Sequence, residues 1–409
     1  MPRSGLSLAA QLKPLRVACA VAFAGSTMRA AEALHLSQSS VTRAIQALEA
    51  TLGFALFERS NQGMQPTPDG RAVVLRAGRA LSQLAAAGPA VRKVGDAPAW
   101  LTSRLATSVG SRHLVVMDSL AQTNSETTSA QRLGISQPAV HQTLVQLEHA
   151  AGTALFIRAR RGLRLTEAGE ALLAAVKLAL SELAQAAEEL AARRGVMQGR
   201  VVIGTLPFST GRLLALAVDR VLGAQPGLAI TIIDGTYDAL VQQLRHAEID
   251  IIVGALRPAP PGADLQQTAL FVDRLTVVAR AGHPLAQRAR LRWSDLRDAQ
   301  WIMPMPRTPA QAAFEQALAA ARLPMPPSPL RVNSALMMQA LLVQSDRLAM
   351  MATRQIRREI DAGLLVALPV PVQHEPRRIG VMQRTDLLPT PALRSLLDAL
   401  AEVAEKIDE

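Results

Sequence analysis

The sequence predicts a mixed fold: two small, helix-rich winged units, a long helix after the second, and then a two-lobed α/β domain. Three observations carry this. Sliding the chain against itself by 99 residues aligns Leu15–Gly70 with Leu114–Gly169 without a gap, and 19 of those 56 positions are identical. Leu173, Val176, Leu180, Leu183, Ala187 and Leu190 alternate spacings of three and four, an a/d seam over almost three heptads. Beyond Gly199 the apolar period shifts from helical to strand-like. Two copies at a fixed offset make a duplicated domain rather than a solenoid.

In the first copy, Leu15, Ala18 and Ala22 mark one short helix, and Ser26 to Leu34 a second with Ala30, Ala31 and Leu34 inward. Ser37 stands where an N-cap belongs, ahead of Val41, Ile45 and Leu48 at i, i+4 and i+7. Helix, short turn, helix is the helix-turn-helix pattern. Its outer face carries Gln38, Ser39, Ser40, Thr42, Arg43 and Gln46, short or forked donors and acceptors of the kind that read base edges in a major groove. Leu56 to Arg59, then polar Ser60 to Gly63 and Met64, read as a two-stranded wing with a basic lip.

The stretches SQSSVTRAIQALEATLGFALFER…TPDG and SQPAVHQTLVQLEHAAGTALFIR…LTEAG resemble the winged helix-turn-helix of LysR-type transcriptional regulators. The resemblance implies a cytoplasmic, sequence-specific regulator of double-stranded DNA, controlled by a small-molecule effector. It implies a homodimer or homotetramer, RNA polymerase as a further partner, and neither enzymatic activity nor a cofactor. It assigns DNA contact to Ser37, Gln38, Ser39, Ser40, Thr42, Arg43 and Arg59, and in the second copy to Gln137, Pro138, His141, Gln142, Arg158, Arg160 and Arg161. The second copy departs from the pattern. His141 replaces Thr42, Gln142 replaces Arg43, and Glu126 sets an acid where a phosphate would approach, although the wing with Arg158, Arg160, Arg161 and Arg164 is more basic. Two readings stay open: DNA binding with altered base preference, or a copy kept for packing or spacing.

Charge distribution favours the first copy for phosphate attraction. Of the net +11, residues 1–112 hold +8 (13 Lys/Arg, 5 Asp/Glu), residues 113–198 hold zero (8 and 8) and residues 199–409 hold +3 (23 and 20). With 49% hydrophobic and 19% charged residues the chain is globular, and no apolar run reaches the roughly 20 residues of a membrane span. Arg3, Lys13 and Arg16 before apolar Val17–Ala24 mimic a secretory signal, but those residues are needed as the first helix. The single Cys19 excludes an internal disulfide and reads as a small core residue, consistent with a reducing cytoplasm.

In order, residues 1–14 read as a loose leader, 15–72 as the first winged unit, 73–112 as a short helix and linker, 113–170 as the second winged unit, 171–198 as a linker helix and 199–409 as the effector domain. Thr67-Pro68 looks like an N-cap and first helical proline, and Gly88-Pro89 a stop. The seam through Leu173, Val176, Leu180, Leu183 and Leu190 is expected to dimerise with a second chain; packing on its own chain, against the poorer seam of Val74, Ala77, Leu81 and Leu84, is the alternative.

Apolar strands at 201–206, 229–233, 249–254 and 275–280, with helices at 211–222 and 237–247 between the first three, imply a parallel sheet. One lobe would take residues 199–272 with 376–409, the other 276–375. The layout resembles the effector domain of the same family, a fold like periplasmic binding proteins. Ligands in such sheets bind beyond the carboxyl ends of strands, near helix N-termini. That points to Thr205, Ser209, Thr210, Thr236, Arg257, Asn333 and Ser334, with Arg307 comparable, as a site for a small anion such as a carboxylate or sugar acid. There is no dinucleotide or phosphate-loop glycine motif, no HExxH and no Cys/His metal spacing. The runner-up function is a ligand-binding protein whose repeat serves protein–protein assembly.

Overall fold

A computed structural model of the chain describes residues 8–61, 63–89, 97–160, 162–195, 199–207, 211–326, 330–372 and 376–408. The chain divides into two compact units, residues 1–199 and 200–409.

The first unit opens with a 3-10 turn, Leu8–Gln11. Its first copy is α1 (Leu12–Ala24), α2 (Thr27–Leu34), α3 (Gln38–Leu52), a wing of β1 (Phe57–Ser60) and β2 (Gly63–Pro66), and α4 (Pro68–Ala86). Two short helices follow, α5 (Ala99–Thr102) and α6 (Arg104–Ser108). The second copy is α7 (Ser111–Thr123), α8 (Glu126–Leu133), α9 (Gln137–Ala151), a wing of β3 (Phe156–Ala159) and β4 (Gly162–Leu165), and α10 (Glu167–Arg193). Both wings are antiparallel ribbons.

The identities shared by the copies are framework. Thr67 and Thr166 cap α4 and α10, each accepting from the N–H three residues on at 3.0 Å and donating to Ala55 or Ala154 at 2.8 Å. Glu49 accepts from the N–H groups of Leu56 (2.7 Å) and Phe57 (3.3 Å), and Glu148 from those of Leu155 (2.9 Å) and Phe156 (3.4 Å). One carboxylate thus satisfies two backbone donors where each wing begins. Gly63 and Gly162 have φ of +101° and +106°, and a Cβ on either would lie 2.4 Å from the carbonyl oxygen of Gly25 or Asn124. Only glycine fits there without strain, which brings each wing against its own helix-turn-helix.

The copies are joined through α4 and α10, which run antiparallel. Asp69 meets Arg193 at 3.6 Å, Arg76 meets Gln185 at 2.7 Å, and Arg79 meets Glu182 at 2.7 Å, so one number falls as the other rises. Leu81 and Leu180, equivalent under the 99-residue offset, fall at the middle of this register. Arg76 is fully buried, yet its Nη1 donates to Glu182 (2.8 Å) and Gln185, and its Nε and Nη2 to Glu189 (3.1 and 2.5 Å). Burial alone would lower the Arg76 pKa; Glu189 and Glu182 more than reverse that and hold the proton above its ordinary range.

Three expectations are corrected here. Leu173, Val176, Leu183 and Leu190 are buried inside the first unit, with half-buried Leu180 packed on the same core, so the seam is filled by this chain's own α4 rather than left for a second chain. The leader is shorter than residues 1–14, because Leu8 and Leu12 are core residues; residues 1–7 lie outside the described residues. Within the stretch read as linker, Trp100, Leu101, Leu105, Ala106 and Val109 are buried with both copies. Buried Arg16 of α1 clasps that segment, donating to Thr107 O (2.6 Å) and Val109 O (2.9 Å), and burial lowers its pKa to about 10.

The second unit contains β5 (Arg200–Thr205), α11 (Gly211–Ala224), β6 (Ala229–Asp234), α12 (Tyr237–Arg245), β7 (Ile251–Ala255), β8 (Leu265–Asp273), β9 (Leu275–Arg280), β10 (Gln300–Met303), α13 (Pro309–Ala320), β11 (Leu330–Arg331), α14 (Ala335–Gln344), β12 (Arg347–Ala352), α15 (Arg357–Asp361), β13 (Leu365–Ala367), β14 (Arg377–Arg384) and α16 (Pro391–Asp408). One lobe is a sheet of order β6-β5-β7-β14-β8, the other β11-β10-β12-β9-β13. The sheets are mixed rather than parallel: β5 runs parallel to β6 and β7, while β14 is antiparallel to β7 and β8. The chain passes between lobes at β8–β9 and before β14, where buried Asp273 and Arg377 pair at 2.8 Å.

Candidate nucleic-acid interface and effector site

In the first copy the turn before α3 is built by Ser37. Its Oγ accepts from the Ser40 N–H at 3.2 Å and lies 3.0 and 2.8 Å from the hydroxyls of Ser39 and Ser40. Ser37 and Ser40 are therefore committed to capping. Val41, Ile45 and Leu48 bury the inner face of α3, which turns Gln38, Ser39 and Arg43 outward, with Thr42 half-exposed. Gln38 Nε2 donates to Thr27 Oγ1 at 3.4 Å, and Arg43 Nε to the Ser39 carbonyl at 3.3 Å. Arg59 is exposed on β1.

The second copy shows the same layout with a different chemical face. Val140, Leu144 and Leu147 are buried, and Gln137, Pro138, His141 and Gln142 are exposed. Ser136 makes no side-chain cap. Glu126, at the position of Thr27, holds two members of this face: it accepts from Gln137 Nε2 at 2.5 Å and lies 3.3 Å from His141 Nδ1. Sequence reasoning placed Glu126 near the phosphates but missed this clasp; the signal was an acid 11 and 15 residues before two recognition-helix side chains. Arg158 and Arg160 are exposed on the wing, and Arg161 lies outside the described residues.

In the second unit Thr205 ends β5 and is buried, and its carbonyl accepts from the Gly235 N–H at 3.3 Å. Thr236 caps α12 (3.4 Å to the Ala239 N–H) and Ser334 caps α14 (3.3 Å to the Met337 N–H), with exposed Asn333 beside it. Ser209 and Thr210 lie outside the described residues. Arg257 is fixed by both arms of Gln267, which accepts from its N–H at 3.0 Å and donates to its carbonyl at 3.3 Å. Its guanidinium lies 4.4 Å above the Tyr237 ring, and burial lowers its pKa despite Tyr237 and Asp238. Tyr237, which sequence reasoning missed, has a buried hydroxyl beside the Arg257 guanidinium, and burial raises its pKa. Among the described residues Arg307 meets Asp238 at 3.3 Å and Arg354 lies over Phe271 at 5.3 Å, each from one lobe to the other. The loops at the ends of β5, β6 and β7 thus gather hydroxyls, helix N-termini and one stacked cation around Thr205, Thr236 and Arg257.

Paired winged helix-turn-helix units ahead of a two-lobed α/β domain define a DNA-binding regulator with a ligand-sensing domain. Residues 12–71 and 111–170 each match the bacterial regulatory helix-turn-helix of the lysR family, and residues 194–405 match the LysR substrate binding domain. The chain belongs to the LysR family of transcriptional regulators, whose members bind DNA and respond to effectors and are not enzymes. It is 34% identical over 392 residues to the HTH-type transcriptional regulator GalR of Pseudomonas putida, covering 96% of this chain and 97% of that one, a span that includes both helix-turn-helix units. PcaQ of Agrobacterium fabrum is 28% identical over 296 residues, and 95% of it fits on 72% of this chain. Two solved structures share the fold with a TM-score of 0.53 at 20% identity. A full-length OxyR variant from Pseudomonas aeruginosa is covered to 93%, and full-length LysG from Corynebacterium glutamicum with bound arginine to 98%, each over 72% of this chain. No helix among the described residues is long and apolar enough to cross a membrane.

Proposed function

We propose that one chain presents two DNA readers as a fixed pair, with the first as the principal base reader. Gln38, Ser39, Thr42 and Arg43 would contact base edges, Arg59 a phosphate, and Ser37 and Ser40 would hold the helix N-terminus in place. The second reader would use Gln137, Pro138, His141 and Gln142 with an altered preference, and Arg158, Arg160 and Arg161 for the backbone. The observation that carries this is the shared framework: the same carboxylate-held wing and the same buried stripe leave the outer faces of α3 and α9 exposed. Readers of this kind enter successive major grooves about 34 Å apart. The setting is the cytoplasm, with RNA polymerase as the downstream partner and a homodimer or homotetramer as the assembly.

A small anion is the proposed effector, held by Arg257 with Thr205, Thr236, Asn333 and Ser334, and with Ser209 and Thr210 by sequence. Binding there would draw Arg257 and Arg307 toward one ligand and shift the equilibrium between lobe arrangements. The test is affinity for the chain's own upstream DNA at fixed salt. Gln38→Ala/Arg43→Ala should weaken binding tens-fold, since a base-reading pair is worth about 1–3 kcal/mol. Gln137→Ala/Gln142→Ala should cost less but remain measurable. Specific binding unchanged in both would refute the assignment of α3 and α9 as readers.

A further inference from the structure

The polar cluster between α4 and α10 is complementary in only one direction. Arg76 and Arg79 come from α4; Glu182, Gln185 and Glu189 come from α10. The 99-residue offset gives what each would meet in a like-with-like pair. The positions equivalent to Glu182 and Gln185 on α4 are Gln83 and Ala86, the sequence equivalent of Glu189 is Ala90, beyond the end of α4 and outside the described residues, and the α10 positions equivalent to Arg76 and Arg79 are Ala175 and Leu178. An α4–α4 pair of the same register would bury Arg76 with no carboxylate opposite. An α10–α10 pair would bury Glu182 and Glu189 with no cation opposite. A buried charge left alone is strongly destabilising, whereas the apolar residues around it are content with either partner. At the far end the polarity reverses, where Asp69 of α4 meets Arg193 of α10 at 3.6 Å, and that contact is half-exposed.

We infer that Arg76, Arg79, Glu182, Gln185 and Glu189 form a pairing code that lets α4 accept only an α10-type helix, making each chain its own two-reader unit. The code recognises the α10 of a second copy equally well. What favours the chain's own helix is its tethering, which raises its effective concentration above that of any free copy. The apolar seam supplies affinity and the charges supply choice, as a buried polar residue does in coiled coils.

Charge reversal in the full chain tests this. Arg76→Glu/Arg79→Glu and Glu182→Arg/Glu189→Arg each set like charges face to face, and each should lower the melting temperature by roughly 10 °C. All four changes in one chain should restore most of that loss. Refolding the two double variants together should yield mixed pairs well above the statistical half by native mass spectrometry, because each then supplies what the other lacks. A third variant, Arg76→Met/Arg79→Met/Glu182→Leu/Glu189→Leu, removes every charge of the cluster together. It should melt near the wild type yet refold into additional exchanged species of higher mass. Double variants that melt like the wild type, statistical mixing, or a third variant with the wild-type mass distribution would each overturn the code. None of these readouts involves DNA, so they stand apart from the assignment of the readers.

Discussion

The two winged units share a skeleton and differ in the face they show. Glu49 and Glu148 satisfy equivalent pairs of wing N–H groups, and Thr67 and Thr166 cap the equivalent helices α4 and α10 with equivalent bonds. Yet Ser37 caps α3 and Ser136 leaves α9 without a side-chain cap, and Thr27 touches one recognition residue where Glu126 clasps two. Residues that satisfy buried backbone groups cannot drift without a large loss of stability, while exposed ones are free to. The copies are therefore equivalent as folds and not as readers.

That contrast can be broken at three levels. The largest effect belongs to the shared carboxylates. Glu49→Ala and Glu148→Ala should each cost about 3 kcal/mol, because each orphans two N–H groups bonded to a charged acceptor. Denaturant melts showing one copy much more tolerant than the other would undo the equivalence. Next are the caps. Ser37→Ala should cost about 1 kcal/mol and Ser136→Ala far less, so equal losses would mean the caps do not differ. The smallest effect is Glu126→Thr, which installs the first copy's residue. Removing one carboxylate from the recognition face should tighten DNA binding a few-fold and raise its sensitivity to salt. Weaker binding would instead make the clasp a positioning device for Gln137 and His141.

How much of this was legible in the sequence follows from the range of each interaction. The helix-turn-helix units were legible because caps, stripe and wing glycine all lie within one copy. The α10 seam was visible as an apolar stripe, but a stripe does not name its partner. The missing clue was Arg76, one of three arginines on α4, which is buried where acids more than 100 residues away meet it. β8 was missed because Leu265–Asp273 lacks clean alternation and its ladder forms with β14. In the effector domain the caps Thr236 and Ser334 were readable as caps. The stacking of Arg257 on Tyr237 was not, since it depends on how the loops after β6 and β7 converge.

Under the proposed function, two readers encoded in one chain also change what mutation can do. A homodimer writes its reader once, so every substitution alters both halves and the DNA it favours stays palindromic. Here α3 and α9 are written separately, and the α4–α10 union keeps the two words side by side. Either can be revised without touching the other, so the favoured site can become two different words with a fixed order, and therefore a direction along the DNA.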